Sequence, residues 1–196
     1  MDIRLSLYEG QLIRLGPIDH EKDPEVESRW THDAEYLRLL DTTPARPMSA
    51  AQLKKRYEAI EKQAEEQKNL FYFTIRLRSE DEHNDRLVGF AKLSEIEWTH
   101  GVGQIRLGIG DSADRRKGFG SDALRLLLRY AFQELNLYRL GAIIPEYNQG
   151  ALRLFTKAGF VEEVRRRQAV QRQGRFWDLL HLGILKDEWT QNRSTP

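Results

Sequence analysis

The chain contains no cysteine among its 196 residues. This absence excludes disulfides, thiolate nucleophiles and zinc sites built on cysteine, and nothing points to an oxidising compartment. No apolar run approaches the roughly 20 residues that a membrane-spanning helix needs. The first residues also lack the basic-then-apolar layout of a secretory signal. We therefore expect a cytoplasmic protein with no membrane partner.

The sequence also lacks an excess of charge of one sign. Its 31 Lys and Arg residues against 30 Asp and Glu residues give a formal charge of +1. Nucleic acid is therefore not expected as a partner, because binders of DNA or RNA carry a strong basic surplus. The five histidines show no metal-ligand spacing, and we predict no metal. The length fits a single domain spanning residues 1–196.

Hydrophobic periodicity predicts a mixed α/β (α+β) fold. Alternating or continuous apolar runs predict seven strands, at residues 11–15, 70–77, 87–97, 104–110, 138–144, 160–164 and 176–185. Helical spacing predicts one or two short helices within residues 19–40, a helix opened by Ser49 and running to about residue 67, and helices at 120–135 and 149–158. Residues 79–86 are polar and predict a hairpin turn. This order favours a mostly antiparallel central sheet with helices on both faces.

One glycine-rich loop stands between a predicted strand and a predicted helix. Amides at a helix N-terminus point toward an anion, and glycines at positions 118 and 120 allow its close approach. The pattern is neither a nucleotide P-loop nor a dinucleotide fingerprint, and by itself it is also compatible with an ordinary basic turn. The predicted phosphate-binding residues are Arg115, Arg116, Lys117, Gly118, Phe119, Gly120 and Ser121.

This loop, Q/R-x-x-G-x-G/A in pattern, resembles the coenzyme A signature of the GNAT superfamily of N-acetyltransferases. Residues 148–160, NQGALRLFTKAGF, resemble that superfamily's N-x-x-A-x-x-x-Y/F-x-x-x-G-F helix. The two segments are about 30 residues apart with a helix and a strand between them, as the crossover of parallel strands requires. The end of the chain, with Gly174, Asp178 and Trp189, resembles the RimJ/RimL-type branch, which acetylates protein N-termini, polyamines or small amines.

The resemblance implies acetyl-CoA as co-substrate and a division of the chain into three regions. Residues 19–67 would form the acceptor side, 87–160 the cofactor-binding core and 160–189 the closing strands. Strands four and five would splay apart around the thioester, and the backbone of Leu107, Gly108 and Ile109 would pair with the pantetheine arm. Asn148 would bond the pantetheine or a water, although it could simply cap its helix. Phe155 would pack beside the thiol, although core packing is its default role.

The proton chemistry is left open by the sequence. Phe155 stands where many relatives carry a tyrosine that protonates the thiolate, and it has no proton to give. Tyr147 is a substitute acid or a packed side chain. Glu95 and Glu97, predicted to share one face, are candidate bases or solvated surface groups. Several relatives carry a glutamate at the start of strand four, where Gln104 stands here.

Two charged segments allow more than one interpretation. Residues 19–41 hold eight acids and three bases, and could attract a cationic amine or form a solvated helix face. A predicted connector with Arg165, Arg166, Arg167, Arg172 and Arg175 could contact RNA or a ribosomal surface, could bind the adenosine 3′-phosphate of the cofactor, or could form a solvated hairpin. The function predicted is direct transfer of acetyl to a primary amine, whether a small molecule or a protein N-terminus. The alternative is an acyl-CoA-binding module with little turnover, and a homodimer is left open.

Overall fold

A single seven-stranded sheet organises the chain. The structure is a computed structural model that describes residues 6–78 and 85–194. The strands are β1 (Ile13–Gly16), β2 (Phe71–Leu77), β3 (Leu87–Glu97), β4 (Val102–Ile109), β5 (Arg139–Pro145), β6 (Val161–Arg172) and β7 (Arg175–Leu185). The helices are α1 (Asp23–Thr31), α2 (Ala34–Leu40), α3 (Ala50–Gln67), α4 (Phe119–Arg129), α5 (Gln149–Lys157) and α6 (Lys186–Ser194).

The strands follow the order β1-β2-β3-β4-β5-β7-β6. Every neighbouring pair is antiparallel except β4 and β5, which run parallel with α4 as their crossover. This confirms the predicted mixed, mostly antiparallel sheet of seven strands. A parallel pair needs such a crossover because its strands start at the same edge of the sheet.

Helices cover both faces of the sheet, as predicted, and β2 shows why. Successive side chains on a strand point to opposite faces. Tyr72 lies 6.1 Å from the ring of Tyr57 on α3, whereas Phe73 lies 5.2 Å from the ring of Tyr130 after α4. The α4 face holds the main core, whose largest fully buried side chains include Leu93, Leu124, Leu127 and Phe132.

Local sequence signals explain several helix boundaries. Ser49 opens α3 with a complete capping box, in which its hydroxyl accepts from the Gln52 amide and the Gln52 side chain accepts from the Ser49 amide. Gly159, at φ +101, follows the C-cap of α5 in the left-handed region that favours glycine. The predicted helix at 120–135 is α4 followed by a π-helical turn at Tyr130–Glu134.

The predicted arginine-rich connector is wrong in one respect. Most of it is strand, because β6 continues to Arg172 and β7 begins at Arg175, so only two residues turn the chain. Arg165 is paired with Glu162 and Asp178, and Arg172 donates to the carbonyls of Thr42 and Thr43. The turn predicted at 79–86 falls mostly on residues 79–84, which lie outside the described residues.

Candidate active site

The glycine-rich loop leads directly into α4. Gly118 is the N-cap at φ +90, and among the described residues no side chain caps the first-turn amides of the helix. A helix N-terminus without a capping side chain leaves amide donors for an anion, and the macrodipole favours negative charge there. Arg116 and Lys117 are exposed beside these amides. Arg115 points away, since its guanidinium lies 3.0 Å from Glu35 in α2 and 3.4 Å from Asp33, the N-cap of α2.

The two loop glycines differ in what their backbone requires. At Gly118 any other residue would be strained by the positive φ, and a Cβ would meet Leu12 at 3.0 Å. At Gly120 the nearest atoms to an added Cβ would be those of Leu154 at 3.5 Å, Leu107 at 3.8 Å and Ile109 at 3.9 Å. These are ordinary contacts. The fold itself therefore does not require glycine at position 120. The residue lies where the loop contacts β4 and α5.

Strands β4 and β5 separate beside this loop, as predicted. Their parallel ladder contains three pairs, from Val102–Arg139 to Gln104–Gly141. Beyond it, β4 continues to Ile109 and β5 to Pro145 with no further pairing between them in the described chain. Leu107, Gly108 and Ile109 line this gap on the β4 side. A backbone edge without a partner strand can accept an extended ligand as an added strand.

Gly108 has a structural reason to be glycine as well. A Cβ there would lie 2.5 Å from Leu40 on α2 and 2.9 Å from Phe90. Its lack of a side chain therefore lets α2 pack closely over β4, next to the gap.

Tyr147 and Asn148 tie the start of α5 to the end of α2. The Tyr147 hydroxyl donates to the Arg38 carbonyl at 2.9 Å, and the Asn148 side-chain amide donates to the Leu39 carbonyl at 3.0 Å. The Asn148 side-chain oxygen also accepts from the Ala151 amide at 3.0 Å, so it does cap the helix. Both residues thus position α2 over the gap, whatever else they bind.

Phe155 is a core residue. It is 4% exposed and its ring centroid lies 4.9 Å from that of Phe160. Phe155 belongs to the buried cluster against which Leu154 and Leu107 pack near the gap.

The predicted shared face of Glu95 and Glu97 is interrupted. A bulge falls between Ser94 and Glu97, and Glu95 has φ +53. Both side chains are exposed, and Glu97 pairs with Val102 at the closed end of the β4–β5 ladder. They therefore lie past the narrow end of the gap, two residues beyond Gln104 along the sheet.

The acidic segment at 19–41 is largely neutralised by arginines from elsewhere. Five of its eight acids make ion pairs with them, which weakens the interpretation as a lip that attracts cations. The pairs are Asp23–Arg76, Glu27–Arg56, Asp33–Arg115, Glu35–Arg115 and Asp41–Arg106. Burial raises the pKa of Glu27, against the short hydrogen bond that its carboxylate accepts from Tyr57.

Sequence reasoning missed the residues that hold this architecture together. Asp122 in the first turn of α4 is 2% exposed and accepts from the Leu12 amide at 2.6 Å and the Ile13 amide at 3.2 Å. Asp114, just before the loop, bonds Arg86 at 2.5 Å, and this contact holds the pKa of its carboxyl below the usual range. The sequence signal for Asp122 is an acidic residue in the first turn of an amphipathic helix.

Two cavities flank the loop. One of about 420 Å³ lies against α1 and is lined by Trp30, Asp33, Arg86 and Gly110 among others. The second, of about 500 Å³, lies between α4 and α5 beside Gly118, Ser121, Arg125 and Lys157. No described helix has the length and apolar content for a membrane span. Nor do the described side chains form a cluster of three metal-ligating groups.

Residues 13–161 match the model of the acetyltransferase (GNAT) domain family. The chain belongs to this family. Among GNAT relatives, the probable N-acetyltransferase YjcK of Bacillus subtilis strain 168 is 30% identical, over 78% of this chain and 94% of that protein. The chain is therefore an acetyltransferase of the GNAT type.

Solved GNAT structures share the fold at low identity. The spermidine N-acetyltransferase of Vibrio cholerae, in complex with CoA and spermine, has a TM-score of 0.76 at 20% identity, covering 91% of this chain and 98% of that chain. RimL, a ribosomal-protein α-N-acetyltransferase in complex with coenzyme A, has a TM-score of 0.76 at 15% identity, covering 91% and 96%. At these identities the likeness shows the fold, and the RimJ/RimL branch is not singled out.

Proposed function

We propose that this protein transfers the acetyl group of acetyl-CoA to a primary amine within a ternary complex. The observation that carries the proposal is the parallel ladder that ends at Gln104–Gly141 beside the uncapped N-terminus of α4. An anion-binding helix end next to two unpaired strand edges suits a ligand with a pyrophosphate followed by an extended amide-bearing arm. The solved relatives that hold CoA support the same choice of ligand.

The residues present suit acetyl-CoA at each part of its length. The amides of Phe119, Gly120 and Ser121 would hold the pyrophosphate, with Arg116 and Lys117 adding charge. The groove with Arg125 and Lys157 would take the nucleotide end, since both cations line it. Leu107, Gly108 and Ile109 would offer their backbone to the pantetheine arm. Acetyl-CoA supplies a thioester, and a backbone amide of β4 would polarise its carbonyl.

In the transfer, the neutral amine attacks the thioester carbonyl carbon and the thiolate of CoA leaves. The amine proton must reach a base or solvent, and the thiolate takes up a proton. No cysteine exists to carry the acetyl group, which favours this direct attack.

The loop prediction uses Gly120. Gly120→Val should weaken acetyl-CoA binding by about 100-fold or more, because a branched side chain blocks the approach of the pyrophosphate to the amides. The magnitude assumes that two charge-assisted hydrogen bonds are lost, at about 1.5–3 kcal/mol each. Calorimetric titration measures it, and circular dichroism confirms the fold. Gly150→Val is the matched control, since Gly150 also lies in a first helical turn and a Cβ there would meet only the Asn148 side-chain oxygen, at the ordinary contact distance of 3.8 Å. Unchanged affinity in Gly120→Val contradicts this placement.

Gly118→Val is the poorer variant for this purpose. Position 118 lies at φ +90, so a branched residue strains the backbone with or without ligand. Loss of binding in Gly118→Val would therefore report on loop conformation as well as on steric access.

The proton path is tested by Tyr147 and the two glutamates. If Tyr147 protonates the thiolate, Tyr147→Phe lowers kcat by about 10²–10⁴ with little change in cofactor affinity. If its hydroxyl only binds the Arg38 carbonyl, the variant raises KM for the amine instead.

A base at Glu95 or Glu97 predicts that the Glu95→Gln/Glu97→Gln protein loses rate near neutral pH and recovers it at high pH. Full activity at every pH would leave a water chain as the base.

A second candidate function is an acyl-CoA-binding module without turnover. One observation favours it: Phe155, buried at 4% exposure, can supply no proton where a tyrosine would. Consumption of acetyl-CoA with a broad panel of amines and peptides separates the two functions, because the module would bind acetyl-CoA and not consume it.

A further inference from the structure

Two cations stand directly opposite each other on the face of the sheet that α2 and α3 cover. Lys92 on β3 and Arg106 on β4 are register partners in the antiparallel pair. Side chains at such positions share a face, with Cβ atoms roughly 4.5–5.5 Å apart, and like charges so placed repel. The sequence thus places two positive charges where sheet stability alone disfavours them.

Only one of these cations makes an ion pair with the described residues. Arg106 donates to the Asp41 carboxylate at the end of α2, at 3.2 Å. Lys92 is half-buried and makes no hydrogen bond or ion pair with the described residues. Burial lowers the pKa of Lys92, and Arg106 and Arg56 lower it further, while Glu95 attracts it from beyond ion-pair distance. A ligand anion would relieve this repulsion.

The pair lies beside the point where β4 and β5 separate. Arg106 is two residues past Gln104, where the β4–β5 ladder ends and the gap opens. Gly108 is the next residue of β4 on the same face, and Leu40 of α2 covers it. The acids of residues 19–41 that could attract a polycation are mostly bound to arginines already.

We propose that the acetyl acceptor is an amine that also bears a carboxylate, and that Lys92 with Arg106 binds the carboxylate. One oxygen accepts from the ammonium and the other from the guanidinium, a charge-assisted arrangement that fixes the amine relative to the gap. The carboxylate itself is unchanged by the reaction. This inference rests on the proposed function and specifies its substrate class.

The test compares matched ligands that differ only in the carboxylate. Amino acids and their primary amides are assayed as acceptors, and the N-acetyl amino acids and their amides are titrated into the protein–CoA complex. We expect the acids to be favoured about tenfold or more, as for one charge-assisted contact. Lys92→Met should remove that preference and leave the amides unaffected, whereas Lys92→Arg should retain it. Lys54→Met, an exposed lysine of α3, is the control.

The outcomes separate this inference from the proposed function. The carboxylate site is overturned, while acetyl transfer stands, if the acids are acetylated and bound no better than the matching amides. It is overturned likewise if the preference for the acids survives in Lys92→Met. A preference for spermidine over every acid does the same. Failure of acetyl-CoA to bind in the calorimetric titration overturns the proposed function itself. The product titration does not depend on turnover, so it decides the carboxylate question even for a slow enzyme.

Discussion

At the scale of single residues, Asp122 bears most directly on the donor side of the site. Its carboxylate lies in the first turn of α4 and accepts from two backbone amides of the N-terminal segment as well as from Arg125. The same helix end carries the amides assigned to the pyrophosphate. Asp122 therefore fixes the direction of α4 relative to β1.

Asp122→Asn should lower the free energy of unfolding by about 2–3 kcal/mol, because a buried charged acceptor shared by two backbone amides is replaced by a group that also presents donors. Urea denaturation measures the change. Asp187→Asn is the matched control, since Asp187 is an exposed acid in the first turn of α6. A loss no larger than that of the control would show that the Leu12 and Ile13 amides find other partners.

Glycine positions show how far the sequence reaches at this scale. The pattern of residues 115–120 predicted the loop, and a glycine pair was the right signal. It could not tell that Gly118 is needed for its backbone angle and Gly120 is not, because that distinction depends on φ and on neighbours such as Leu12 and Leu154 that are distant in sequence.

At the scale of elements, Asn148 joins α5 to α2 through two different atoms. Asn148→Asp keeps the oxygen that caps α5 but loses the donor to the Leu39 carbonyl. We therefore expect slow amide exchange to persist in the first turn of α5 and to become faster in the last turn of α2. Asn148→Ala should speed exchange in both, because it also removes a cap worth about 1 kcal/mol.

Hydrogen exchange read by mass spectrometry measures these changes. Asn136→Asp, a surface change of the same chemistry, controls for the added charge. If Asn148→Asp leaves the end of α2 as protected as before, the bond to Leu39 does not hold that helix.

Elements with strong local signals were predictable and their pairings were not. β3 was predicted within its observed bounds, and Ser49 marked the start of α3. β6 was predicted too short because its outer residues are exposed on both faces, so arginines replace the apolar alternation that identifies a strand. The arginine partners of the acids at 23–41 could not be predicted either, since they come from a helix, two strands and a loop that are distant in sequence.

At the scale of the whole molecule, two halves of the sheet meet at a short seam. β1 to β4 form one half and β5, β7 and β6 the other, and between them only three residue pairs are formed along the described strands. A ligand lying between β4 and β5 would extend that seam. Its binding should therefore stabilise the join between the halves as well as fill a pocket.

Acetyl-CoA at 100 times its Kd should raise the free energy of unfolding by about 2.7 kcal/mol. The specific expectation is that exchange slows at gap-facing amides of residues 105–109 and 142–144, while residues 102–104, already paired, change little. Exchange measured with and without ligand tests this. Protection confined to the loop at 115–120 would show that the arm does not lie between the strands.

The paired part of β4 and β5 also sets how far a ligand can extend into the gap. The side chain of Gln104 occupies the space above Gly141, with its atoms 2.8 Å from where a Cβ of residue 141 would stand. An acyl group that extends between β4 and β5 would therefore meet the main-chain pairing of the two strands and the Gln104 side-chain amide. Its length would not be limited by side chains that substitution could shorten. If the thioester lies in this gap as proposed, the paired part of the sheet would favour short acyl groups. Trimming side chains around the gap would widen its mouth without lengthening its reach.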